Sequence, residues 1–105
     1  METIDQISEM YKLLADKTRL TILALLKEQE LCVCDIVEIM KMTQPNVSQH
    51  LRKLKSGGIV KEKKRGQWVY YSLNLEKPNV LTALEHVPSQ KSLIEQSQKL
   101  KTIEC

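Results

Sequence analysis

Cys32 and Cys34 stand two positions apart and are followed at once by Asp35. Thiolates are soft donors that select thiophilic ions. On a regular helix, residues i and i+2 point about 200° apart, because each residue advances about 100°, so they do not share one ion. A helix entrance lifts that constraint. The spacing predicts Cys32 at the N-cap and Cys34 in the first turn, where the chain is only half helical and both sulfurs converge. Unsatisfied amides there are expected to lower a thiol pKa and favour thiolate. Asp35 occupies the acidic position of a capping box. The plainer reading is a pair of ordinary buried thiols, and the pairing at a helix entry favours ligands over it. The third cysteine is Cys105, the last residue of the sequence.

A second set of residues suits a polyanion. Residues 1–40 carry four basic side chains against eight acidic ones, and residues 66–105 carry four of each. Residues 41–65 carry eight (Lys41, Arg52, Lys53, Lys55, Lys61, Lys63, Lys64 and Arg65) against Glu62 alone. The net charge of +3 therefore hides a block of +7 in the middle of the chain. Such a block is an electrostatic footprint for nucleic acid. A solvated lysine-rich surface produces the same charge count, so the elements that display it decide.

Those elements follow from periodicity. Ile4, Ile7, Tyr11 and Leu14 recur at three- and four-residue steps, as in an amphipathic helix. Asp16 is the expected N-cap of a second helix, apolar around much of its girth at Leu20, Ile22, Leu23, Ala24 and Leu26. A short third helix runs from Cys32 to Met40, and Met42-Thr43 makes a tight connection. Thr43 caps a fourth helix with Pro45 in its first turn. Val47, Leu51 and Leu54 mark the buried face of that helix, and Gly57-Gly58 stops it. From Ile59 the period drops to two, predicting strands over 59–64 and 68–73 joined by a turn at 65–67. A helix over 79–87 ends at Pro88. Residues 90–103 form a further amphipathic helix or a polar tail.

Two short helices joined by a tight turn, the second polar and basic outside, make a helix-turn-helix, and the basic hairpin after it is a wing. The expected fold is mainly α with a small β-hairpin: a winged helix-turn-helix over residues 1–88, with 89–105 as a C-terminal tail or extra helix. One helix fits the major groove of double-stranded DNA. Gln44, Asn46, Ser48, Gln49 and His50 are the candidates for base edges. Arg52, Lys53 and Lys55, with Lys63, Lys64 and Arg65 on the wing, suit phosphates. A plain four-helix bundle with a solvated basic face explains less, because charge, turn and hairpin coincide in order.

The segments 30–35 (Glu-Leu-Cys-Val-Cys-Asp), 44–51 (Gln-Pro-Asn-Val-Ser-Gln-His-Leu) and 57–60 (Gly-Gly-Ile-Val) together resemble the arsenic-responsive repressors of the ArsR/SmtB family. The resemblance covers roughly residues 5 to 87. It implies a homodimeric repressor of operator DNA that arsenite or antimonite releases by binding at the third helix, with cadmium or lead as further candidate ions. It also implies a dimer surface from the first and last helices, here Ile4, Ile7, Tyr11 and Leu14 with Val80, Leu81, Leu84 and Val87. One departure stands out. Such arsenic sensors carry a third cysteine three residues after the second, and this chain has Val37 there. Cys105, from the same or the partner subunit, is the candidate third metal ligand beside Cys32 and Cys34. A two-thiolate site completed by solvent or a small thiol is the rival. The family's zinc site, built of acidic and histidine ligands on the last helix, is not expected with only Glu85 and His86 in that region.

Hydrophobic residues make up 42% of the 105 and charged ones 28%, as in a globular domain. No apolar run approaches the roughly 20 residues of a membrane span. The acidic first residues lack the pattern of a signal peptide, and three thiols fit a reducing cytoplasm. No enzymatic constellation, neither a glycine-rich phosphate loop nor paired carboxylates, accompanies the cysteines, and no organic cofactor is expected. Two alternatives remain at this stage: a repressor that senses oxidants through the cysteines, and a small thiol metal carrier, which leaves the basic hairpin without a purpose.

Overall fold

The computed structural model describes residues 3–100, with side chains as far as Ser97. Six helices and three short strands follow in the order α1 (Ile4–Leu14), α2 (Lys17–Glu28), β1 (Leu31–Cys32), α3 (Val33–Met40), α4 (Gln44–Ser56), β2 (Val60–Arg65), β3 (Trp68–Leu73), α5 (Pro78–Leu84) and α6 (Lys91–Leu100). This is the winged helix-turn-helix that the sequence predicts.

Local chemistry sets most of the boundaries. Thr3 and Gln6 close a capping box on α1. The Asp16 carboxylate accepts the Arg19 amide at 3.0 Å, turning the chain from α1 into α2. Thr43 accepts the Asn46 amide at the head of α4, with Pro45 in the first turn. At the other end of α4, Gly57 is the C-cap and Gly58 takes φ +75, a left-handed conformation that favours glycine.

α2 is the centre of the molecule. Ile22, Leu23, Ala24, Leu25 and Leu26 are all buried. Around it pack Leu14 of α1, Ile36 of α3, Val47, Leu51 and Leu54 of α4, Val80 and Leu84 of α5, and Ile94 of α6. A five-residue run of buried side chains excludes an amphipathic surface helix and requires neighbours on most sides.

The structure departs from the sequence reading at three places. The wing turn is two residues, not three: Arg65 is still in the ladder opposite Trp68, and Gly66 alone takes a positive φ (+63), as in a type II′ turn. α5 stops at Leu84 rather than Val87. Approaching Pro88, the amides of His86 and Val87 bond three residues back, and Lys27 Nζ donates to the Leu84 and Val87 carbonyls at 3.0 Å each. The third departure is β1. Two residues are too short to show alternation, yet Leu31 and Cys32 pair antiparallel with Tyr71 and Tyr70, giving a sheet in the order β1-β3-β2.

Of the two outcomes left open after residue 90, a helix or a polar tail, the described residues show a helix from Lys91, which packs on α3 and α2 and buries Ile94. Among the described residues, no helix is long and apolar enough to cross a membrane.

Leu51 is fully buried in the core beneath α4. Leu51→Ala is expected to lower the unfolding free energy by about 2–5 kcal/mol, measured by urea denaturation. A loss under about 1 kcal/mol would mean that α4 is not seated on that core.

Candidate metal centre and nucleic-acid interface

Cys32 belongs to two elements at once. Its backbone is the last rung of β1, and its side chain caps α3 by accepting the Asp35 amide at 3.3 Å, while Asp35 Oδ2 accepts the Cys32 amide at 3.4 Å. The capping box is the one the spacing predicts, with sulfur in the place of a hydroxyl. Cys34 lies in the first turn, and its Sγ stands 2.6 Å from that of Cys32. The two sulfurs and an Asp35 carboxylate oxygen all lie within 4.8 Å of one another. Soft sulfur donors gathered at a helix entrance make a pincer for a thiophilic cation or metalloid. Val37, a turn further along α3, is half-buried against the core.

The electrostatics of Cys32 differ from the expectation. Its thiol pKa is raised, not lowered. Burial is the largest cause, and the charge and hydrogen bonding of the Asp35 carboxylate add to it. The Asp35 amide opposes them and is outweighed. The helix entrance thus supplies geometry, and burial of the sulfur works against the thiolate. Cys105 lies outside the described residues.

α3 and α4 form the helix-turn-helix, with Lys41 in a left-handed conformation at the corner (φ 55). Gln44, Asn46, Gln49, Arg52 and Lys53 are exposed on α4, and Ser48 is half-buried. His50 is half-buried too, with Nδ1 3.4 Å from Arg19 Nη1. That guanidinium is itself held by the Leu13 carbonyl at 2.9 Å, so His50 braces α4 against the corner between α1 and α2. On the wing, Lys63 and Lys64 are exposed.

Two expected phosphate ligands are engaged within the chain. Lys55 bonds Glu62 at 2.8 Å, and Glu62 also accepts the Tyr71 hydroxyl at 2.5 Å. These contacts lower the Glu62 pKa, and burial, followed by Glu62, raises that of Tyr71. Arg65 makes a two-pronged contact with Glu30, Nη1 to Oε1 at 2.6 Å and Nη2 to Oε2 at 3.2 Å, and lies over the Tyr70 ring at 4.8 Å. Sequence reasoning missed these contacts. The signal available was Glu62 itself, the lone acid in the basic block.

The residues expected to form a dimer surface separate into three groups. Ile4 and Tyr11 are 85% and 55% exposed. Ile7, Leu81 and Val87 are half-buried. Leu14, Val80 and Leu84 are buried in this chain's own core, because α5 must cover α2.

Residues 16–62, from the cap of α2 into the first strand of the wing, match the family model described as bacterial regulatory protein, arsR family. The chain is 41% identical over 76 residues to the arsenic resistance transcriptional regulator ArsR1 of Pseudomonas putida, covering 71% of this chain and 59% of that protein. It is 34% identical over 100 residues to ArsR2 of the same organism, covering 91% of this chain and 87% of that one. This chain belongs to the ArsR family. Among solved structures, an ArsR-family likeness is the homodimeric winged helix-turn-helix DNA-binding domain Mb0332 from Mycobacterium bovis, described as a possible ArsR-family transcriptional regulator. Its TM-score is 0.70 at 29% identity, covering 95% of this chain and 84% of that one. The chain spans about six-tenths of the length of ArsR1. The family match and the cysteine cluster meet at the same residues, since 32–35 lie inside the matched segment.

Because the Asp35 carboxylate helps to raise the Cys32 pKa, Asp35→Asn is expected to shift alkylation of Cys32 to lower pH while keeping an oxygen for the cap. Mass-spectrometric mapping of iodoacetamide adducts against pH reads this directly, and an unmoved profile would assign the shift to burial alone.

Proposed function

We propose that this ArsR-family chain is a transcriptional repressor that holds operator DNA as a homodimer and releases it when a trivalent metalloid, arsenite or antimonite, is captured by Cys32 and Cys34. The observation that carries this reading is the meeting of two soft sulfurs at the head of α3, the first helix of the helix-turn-helix. Relatives named as arsenic resistance regulators support the choice of metalloid. A relative named as a cadmium resistance regulator of Staphylococcus aureus, 45% identical over 71 residues, keeps cadmium among the candidate ions.

In this reading Gln44, Asn46, Ser48 and Gln49 face base edges, and Arg52, Lys53, Lys63 and Lys64 take phosphates. A dimer fits this reading, because two reading helices about one DNA turn apart would match a symmetric operator. Ile4 and Tyr11, apolar and exposed, contribute to that dimer face with Ile7, Leu81 and Val87. Drawing both sulfurs onto one ion changes the cap of α3, and α4 moves with it. Linkage makes the effect reciprocal, so bound DNA weakens ion binding by the factor by which the ion weakens DNA binding. With Val37 where a third thiol would stand, Cys105 of the same or the partner subunit completes a three-sulfur site.

A second reading has support from the same contact. Two sulfurs this near are placed for oxidation to a disulfide by a peroxide, which would be reduced to water, and the trigger would then be an oxidant.

Cys32→Ser and Cys34→Ser are expected to retain DNA binding and to ignore arsenite in a gel-shift assay. Loss of DNA binding without arsenite would make the cysteines structural. Release by peroxide but not arsenite, with a mass loss of about two hydrogen atoms, would select the oxidant reading. Cys105→Ser is expected to blunt the arsenite dose curve. DNA affinity is expected to fall steeply with salt, log K dropping by about 0.9 per phosphate contact per decade.

A further inference from the structure

Arg65 was expected on phosphate, yet both of its terminal guanidinium nitrogens are turned back onto Glu30, a residue 35 positions earlier. An exposed ion pair contributes little stability. This one is bidentate and stacked on an aromatic ring, which restricts orientation more than it adds energy. What it joins gives it a role. Glu30 is two residues before Cys32 along the chain. Tyr70, the ring beneath Arg65, is the ladder partner of Cys32 between β1 and β3. Arg65 itself occupies the last rung before the wing turn, opposite Trp68. The cysteine pair therefore reaches the wing tip by two routes, through Glu30 and through Tyr70, and both end on one guanidinium.

We propose that Arg65 is a positioning residue, not a phosphate ligand: the Glu30–Arg65–Tyr70 tie sets the wing against the cysteine pair, so that ion capture moves the wing as well as the reading helix. The ligand's identity rests on the function proposed above; the tie itself does not. β1 is only two residues long, so a pull on Cys32 is not absorbed by a long ladder. The hairpin of β2 and β3 is paired along six rungs, which resist bending within it. Lys63 and Lys64, exposed on that hairpin, would carry the displacement to the DNA backbone.

Trp68 is the chain's one tryptophan and is 38% exposed beside Arg65 on the last rung, so its emission reads the wing tip without a label. Wild-type protein is titrated with sodium arsenite, following Trp68 emission and thiolate absorption together. Emission should change in step with absorption. In Glu30→Gln and Arg65→Gln the absorption change should persist while the emission change is lost. On a labelled duplex selected from random sequence by the wild-type protein, arsenite-driven loss of affinity should shrink several-fold in each single variant. The double variant should lose no more than either single one, because the two residues act as one unit. Acrylamide quenching of Trp68 without any ion should rise in both single variants.

A saturating absorption change with unmoved wild-type emission would overturn the tie. So would quenching equal to wild type in both variants. A phosphate-binding Arg65 would instead lower the salt slope by about 0.9 in Arg65→Gln alone, with the arsenite response intact in both variants. Absence of any arsenite absorption change strikes the metalloid reading, and the tie is then judged with cadmium chloride on the same criteria.

Discussion

Cys32 ties two elements together, one through its backbone and the other through its side chain. The backbone is the last residue of a two-residue strand, and the side chain is the cap of the next helix. A capping hydroxyl or carboxylate would serve the helix equally well. Sulfur serves it and remains a soft ligand, so helix stability and ion capture depend on the same atom. An ion bound there would share the sulfur that accepts the Asp35 amide at the start of α3. In the proposed function, a sensor placed at a cap would couple a local chemical event to helix geometry.

Burial shapes the same site. The Cys32 thiol is pushed up chiefly because its sulfur is removed from water, and the nearby Asp35 carboxylate reinforces this. In the proposed reading, an ion captured here would have to bind sulfur strongly enough to displace any proton it carries.

The basic block is divided by its tertiary contacts. Lys55 is occupied by Glu62, and Arg65 by Glu30 and Tyr70. Lys61 stands 3.6 Å from Glu76. Arg52, Lys53, Lys63 and Lys64 stay exposed, on α4 and on the wing. Three acids from outside the reading helix therefore convert a uniform run of positive charge into a few forward-facing cations and several braces. Charge counting along the chain cannot separate the two classes, because the distinction lies in what sits across the fold from each side chain.

Much was determined by local order alone. The caps at Asp16, Cys32 and Thr43, the stop at Gly57-Gly58 and the change of period at Ile59 are effects of residues on their near neighbours, so the winged helix-turn-helix and its cysteine pair were legible before any coordinates. What only the tertiary structure decided joins distant segments: the β1–β3 rung that ties Cys32 to Tyr70, the Glu30–Arg65 and Arg19–His50 contacts, and the burial of Val80 and Leu84 of α5 against the core around α2. Burial also reversed the expected shift of the Cys32 thiol. The physical reason is range: capping and periodicity act over three or four residues, whereas desolvation and cross-chain pairing depend on which segments the core brings together.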